Sequence, residues 1–195
     1  MRKLLILLCI LTGSLGKCAS QTVGLRSNIL YFLTTTPNVG IDVRLSQHST
    51  ITATLGYNPF RFSNSSVAEA AASPKLKHWL GALEYKYWLC RPYERWFVGG
   101  YGNYCEFNVG GLRLPFTDMF RSNRYEGYAG GGGVSAGYQW AFARRWGIEL
   151  SAGLGYTYIR YAKYSSDPCA AAVKKAARHW FGPSKLAFSI IYYIY

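Results

Sequence analysis

Catalytic or metal chemistry in this chain would have to be built from three histidines, a serine-rich stretch and five cysteines. His48, His78 and His179 lie far apart with no short ligand spacing, whereas a metal site needs three or four such groups converging on one point. A serine, histidine and acid set can be drawn from Ser63, Ser65 or Ser66 with His78 and Glu69. Any Ser-rich stretch offers such triples, and a nucleophile works only with its base in hydrogen-bond reach. The glycine run 130–133 has neither the spacing nor the following helix of a phosphate-binding loop. The sequence therefore predicts no catalytic residue, no metal, no cofactor and no nucleic-acid partner.

The informative chemistry is in the charges. Arg26, Asp42, Arg44, Glu84, Lys86 and Glu149 each sit in a segment where apolar and small or polar residues alternate, and each falls on the polar side. Charges in a narrow, partly dehydrated space cost several kcal/mol each when unpaired, so these six, three of each sign, are expected to pair with one another.

The elements that would hold them follow from a two-residue period. From Trp146, one face reads Trp146, Ile148, Leu150, Ala152, Leu154, Tyr156 and Tyr158, and the other Gly147, Glu149, Ser151, Gly153, Gly155 and Thr157. Successive strand residues point to opposite faces, so this is a strand with one apolar face, capped by aromatics at both ends, and one small polar face. The same alternation runs through 39–45, 50–58, 79–89 and 125–142, and less cleanly through 23–34, 95–107 and 181–195. Eight such runs predict an all-β, eight-stranded antiparallel up-and-down transmembrane barrel over 21–195. The connections support it: 46–49, 91–95 and 143–145 on one end are short, while on the other, after a short first one at 35–37, 59–76, 108–124 and 162–180 are long. The segment 170–178 has the composition for a turn or two of helix inside the last of these.

Composition agrees. Half of the 195 residues are apolar and only 16% are charged, while 17 Tyr, 10 Phe and 6 Trp demand a large surface to lie against. Tyr and Trp, apolar with one polar tip, suit a membrane interface. Past the N-terminus no stretch of 18 apolar residues occurs, which excludes a helical membrane protein. The N-terminus itself, with Arg2 and Lys3 before the apolar run 4–11 and small residues through Ser20, reads as a cleavable secretory signal over 1–20, with lipidation at Cys18 as the rival. Cleavage would remove Cys9 and Cys18 and leave Cys90, Cys105 and Cys169, an odd number. Cys90 and Cys105 fall at opposite ends of neighbouring strands, too far apart to bridge, and a pairing of Cys105 with Cys169 stays open.

Without Arg2, Lys3 and Lys17, 19 basic residues stand against 9 acidic ones, and most of that excess lies in the long connections. Arg121, Arg124, Lys174, Lys175 and Arg178 are the expected contacts for an anion or a partner surface, including the phosphates of lipopolysaccharide.

The motifs Thr34-Thr35-Thr36-Pro37-Asn38, Gly56-Tyr57-Asn58-Pro59-Phe60, Lys77-His78-Trp79, Tyr85-Lys86-Tyr87-Trp88, Asn108-Val109-Gly110-Gly111, Arg124-Tyr125-Glu126-Gly127 and Phe181-Gly182-Pro183-Ser184-Lys185 occur in order along nearly the whole mature chain. In these the sequence resembles a Bacteroidetes family of unknown function, similar in architecture to the transmembrane domain of OmpA and found near fimbrial genes. The last long loop in that family often carries paired cysteines, and this chain has Cys169 followed by three alanines. The resemblance implies a small outer-membrane barrel; the chain is expected to be a monomer, and its basic aromatic rim points to a fimbrial or other surface protein as partner. It transfers no catalytic residue. The expectation is thus a non-enzymatic outer-membrane protein that acts through its loops, with a rim acyl-hydrolase or acyltransferase, or a narrow pore, as alternatives.

Overall fold

The computed structural model describes residues 23–60, 75–110, 123–165 and 172–194. They form strands β1 (Val23–Asn28), β2 (Asn38–Arg44), β3 (Ser49–Asn58), β4 (Lys75–Trp88), β5 (Arg95–Gly110), β6 (Asn123–Ala143), β7 (Trp146–Ser165) and β8 (Ala172–Ile194). Each pairs antiparallel with its neighbour in sequence, and β8 pairs with β1 to close the barrel. The up-and-down barrel read from the alternation is the fold observed. Among the described residues no helix is long and apolar enough to cross a membrane.

Register sets which side chains enter the barrel. Thr52 of β3 lies opposite Glu84 of β4, and Gln139 of β6 opposite Glu149 of β7, so polar residues share the lumen face. The intervening positions Leu55, Leu83, Val134, Leu150 and Leu154 point outward and are exposed. Aromatic pairs bound this outward apolar band. At the end where β1 begins and β8 ends, here the near end, Trp96 packs on Tyr138, Tyr138 on Trp140, and Trp146 on Tyr192. At the far end a chain of ring contacts runs from Trp79 through Tyr104, Tyr128 and Tyr158 to His179. Trp146 and Tyr156 lie ten residues apart on β7, which at about 3.3 Å per residue and a tilt near 40° is a band about 25 Å high.

Glycine is required where strands crowd. A Cβ at Gly131 or Gly133 of β6 would overlap the carbonyl oxygens of Tyr156 and Leu154 across the β6–β7 seam, so the run 130–133 serves strand approach.

Three boundaries depart from the sequence reading. The segment 23–34 is a strand only to Asn28, whose side chain accepts from the Leu30 amide (3.1 Å) and the Phe188 amide (3.1 Å), turning the chain into a 3-10 helix, Ile29–Thr34. The last long connection is much shorter than 162–180, because β7 runs to Ser165 and β8 starts at Ala172. The part of 170–178 that is described is strand, not helix: pairing with β7 outweighs the modest strand propensity of Ala and Lys.

Candidate functional site

The lumen is layered. At the near end Trp88, Phe97 and Ile191 are 1%, 1% and 0% exposed and pack with Tyr93 and Tyr193 into an apolar plug. Trp88 packs at a tilt against Phe97 (ring centroids 4.9 Å apart) and Tyr93 (5.9 Å), and donates its indole N–H to Thr50 Oγ1 at 3.0 Å. Gln139 bonds the Tyr193 hydroxyl. Tyr93 reaches the plug from the β4–β5 turn, and burial pushes its phenol pKa up.

Above the plug is a sheet of ion pairs. Glu149, fully buried, accepts from Arg26 Nη1 (3.1 Å) and Nη2 (2.7 Å) and from Lys86 Nζ at 2.8 and 2.7 Å. Arg26 Nε reaches Asp42 at 2.9 Å, and Asp42 also accepts from the Thr52 hydroxyl. Lys86 lies 3.6 Å from Glu84 and 4.7 Å above the Phe97 ring. Glu84 accepts from Ser135 Oγ at 2.6 Å and pairs with Lys185. Arg26, Lys86 and Lys185 against Asp42, Glu84 and Glu149 sum to zero, and a neutral cluster with short, multiple hydrogen bonds is the form in which buried charge is tolerated.

One member of the expected set is corrected. Arg44 stays at the near mouth, where its Nε donates to the Ser46 carbonyl at 3.1 Å, and Lys185 holds the third cationic place. Lys185 is in phase with the inward Ala187, Ser189 and Ile191, and a bulge in β8 lies just beyond it. Gly153 faces Lys185 but Leu154 faces Pro183, so Ser184 is extra and the inward phase changes there. Alternation back from Ile194 places Lys185 inward; the bulge turns Phe181 and Pro183 of the same odd set outward, which is why 181–195 reads as a mixed pattern.

Over the ion pairs lies a cavity of about 240 Å³, lined by Thr52, Thr54, Asn103, Tyr101, Ser184 and the Tyr31 ring from the 3-10 helix, among others. Tyr101 and Ser184 bond each other across it.

At the far end the wall is uneven. β1, β2 and β3 have 6, 7 and 10 residues, while β6, β7 and β8 have 21, 20 and 23, so β5 to β8 rise past the far aromatic ring as a wing. Its seven-residue tips, 159–165 and 172–178, extend it by about 20 Å. Pairing sorts the cations by face. Arg124, Arg160 and Lys175 share the outer face with Tyr128 and Tyr164; Arg124 lies 5.4 Å over Tyr164 and bonds Glu126 at 2.7 Å. Lys163, Lys174 and Arg178 share the inner face with Tyr125, Tyr161 and Trp180. Of the five expected contact residues, Arg124 and Lys175 thus face outward and Lys174 and Arg178 inward. Arg121 lies outside the described residues, as do the segment 1–20, Cys169, Glu69 and the three candidate serines.

A family model described as "Protein of unknown function (DUF3575)" matches residues 4–194. The chain belongs to that family. No curated protein matches it. Among solved structures it is similar to the outer membrane protein W of E. coli, determined in solution by NMR, at 12% identity and a TM-score of 0.41, over 91% of this chain and 100% of the other.

In this DUF3575 chain the histidines serve as packing and hydrogen-bonding groups. His78 Nε2 is 2.9 Å from the buried Thr36 hydroxyl, His179 Nδ1 meets the Tyr156 hydroxyl, and His48 stacks on Tyr87. Among the described residues no three His, Cys, Asp or Glu side chains group as a metal site, and Cys90 and Cys105 are free thiols.

Proposed function

We propose that this DUF3575 chain is a monomeric, non-enzymatic barrel of the outer membrane, reached after removal of 1–20, that acts by contact through its far end. The supporting frame is an outward apolar band about 25 Å high between aromatic rings, around a lumen filled by the Trp88–Phe97 plug and its neutral ion-pair layer. The observation that carries the reading is the wing, whose cations are divided between two faces.

Of the outer-face cations, Arg160 stands just past the far aromatic ring and Lys175 and Arg124 further up the wing, a column facing the zone of the lipopolysaccharide phosphates, and guanidinium and ammonium groups there make charge-assisted hydrogen bonds to phosphate. The inner-face cations Lys163, Lys174 and Arg178 turn away from lipid toward the space over the mouth, which suits a surface protein, a fimbrial component among the candidates.

The test separates the faces. Barrel purified from outer membranes is assayed for co-purifying lipopolysaccharide phosphate, and its capture of surface protein is followed by cross-linking on intact cells. Alanine at Arg124, Arg160 and Lys175 should lower the phosphate and spare the cross-links; alanine at Lys163, Lys174 and Arg178 should do the reverse. If both sets leave both readouts unchanged, contact through the wing is wrong. An altered lipid profile in a deletion strain, restored by the wild-type gene and lost with His78→Ala, would favour acyl transfer instead.

A further inference from the structure

β8 pairs with β1 only from Ser189 to Ile194, so from Ala172 to Phe188 its second edge has no strand partner among the described residues. The 3-10 helix between β1 and β2 lies against the lower part of this edge, through Asn28 and Phe188. The upper part, 172–178, rises past the aromatic ring. An unpaired edge presents a row of N–H and C=O groups that can template another strand.

A second observation says what kind of strand. Lys163 and Lys174 are direct cross-strand partners on the inner face, an arrangement that repels and costs stability. Arg178 lies on the same face two inward positions along β8, and Trp180 follows it. The inner face of the wing, with Phe107, Val109, Tyr125, Tyr161 and these cations, has no Asp or Glu among the described residues; Glu106 and Glu126 are on the outer face. No salt bridge among the described residues engages Lys163, Lys174 or Arg178.

Resting on the surface-contact reading above, we infer that the 172–178 edge of β8 accepts an extended acidic segment of a surface protein as an added strand. The segment carries carboxylates at alternate positions, on the face that meets Lys174 and Arg178. Main-chain hydrogen bonds supply the pairing, and the alternate carboxylates relieve the Lys163–Lys174 repulsion and fix the register.

The test uses the full barrel in detergent micelles and a nine-residue peptide, Thr-Glu-Val-Glu-Thr-Glu-Val-Glu-Thr. Binding is followed by fluorescence, and pairing by amide hydrogen exchange at 172–178. The expected result is saturable binding with slowed exchange at those amides. Lys174→Glu with Arg178→Glu should weaken it about tenfold and confer binding of the matching Thr-Lys-Val-Lys peptide. The same peptide with proline at both Val positions should bind much more weakly. If the proline peptide or an acidic polysaccharide binds equally well, or exchange at 172–178 is unchanged on binding, the edge is not a strand acceptor and the inference fails. Slow exchange before any peptide is added at those amides of 172–178 that point away from β7 also overturns it, since that edge is then already covered. Failure here with surface cross-links that still depend on Lys163, Lys174 and Arg178 leaves the contact reading standing; loss of those cross-links together with peptide binding removes both.

Discussion

Replacing Glu149 by glutamine should be among the most damaging isosteric changes available to this protein. Glu149 receives four N–H contacts of 2.7 to 3.1 Å from Arg26 and Lys86 at zero exposure. Glutamine keeps the shape but leaves the six-membered cluster with a net positive charge. Arg26 then retains Asp42 at 2.9 Å, while Lys86 retains only Glu84 at 3.6 Å and the Phe97 ring. Removing one partner of a buried pair costs about 3 to 5 kcal/mol; the residual amide acceptor puts Glu149→Gln near the lower bound, at about 3 kcal/mol. Lys86→Met alone should cost a similar amount by stranding negative charge. The double variant restores neutrality with Arg26 and Lys185 against Asp42 and Glu84, so it should cost well under the sum of the singles, with a coupling of about 2 to 3 kcal/mol. The assay is reversible urea unfolding in micelles or short-chain lipid vesicles, followed by tryptophan fluorescence. With a slope near 2 kcal/mol per molar, Glu149→Gln should lower the midpoint by roughly 1.5 M. A loss under about 1 kcal/mol, or a double variant equal to the sum of the singles, would refute the account of the lumen as an interlocked neutral network.

Further outcomes test the neighbouring layers. Lys185→Met should destabilise by about 2 kcal/mol, because Glu84 loses its closest cation, whereas Arg44→Met should stay within about 0.5 kcal/mol; reversed sensitivities in the same unfolding assay would restore Arg44 to the cluster. Phe97→Ala, removing a 1% exposed ring from between Trp88 and Lys86, should cost about 3 to 5 kcal/mol, and a neutral effect would mean that the plug is loosely packed. Gly133→Val places a side chain against the Leu154 carbonyl, so the variant should not give the compact unboiled gel species. In planar bilayers the wild-type barrel should show no discrete conductance steps, and steps of uniform size would contradict a filled lumen.

The parts of this structure legible in the sequence are those where one strand keeps one phase. β7 alternates without interruption through the barrel, which exposes Glu149 as an inward charge, and β2, β3 and β4 do the same for Asp42, Thr52, Glu84 and Lys86. Lys185 shares the inward phase of Ala187, Ser189 and Ile191, but the β8 bulge puts Phe181 and Pro183 of the same odd set outside, so the segment as a whole reads as mixed. Arg44 has the inward phase, but the turn carbonyl of Ser46 lies closer than any carboxylate, and phase says nothing about depth. The wing was invisible for a different reason. The segment 172–178 is rich in Ala, Lys and Arg and has weak strand propensity, and its strand state comes from pairing with β7. Once that pairing is known, the charged rim resolves into two faces, a distinction that a count of basic residues does not contain.

The most direct test of the central claim is the gel mobility of the protein in a purified outer-membrane fraction, compared before and after boiling. A closed barrel held by its β1–β8 seam and its neutral lumen should migrate faster unboiled and slow on boiling. Identical migration in both states, with the protein recovered from the soluble periplasmic fraction, would contradict the account.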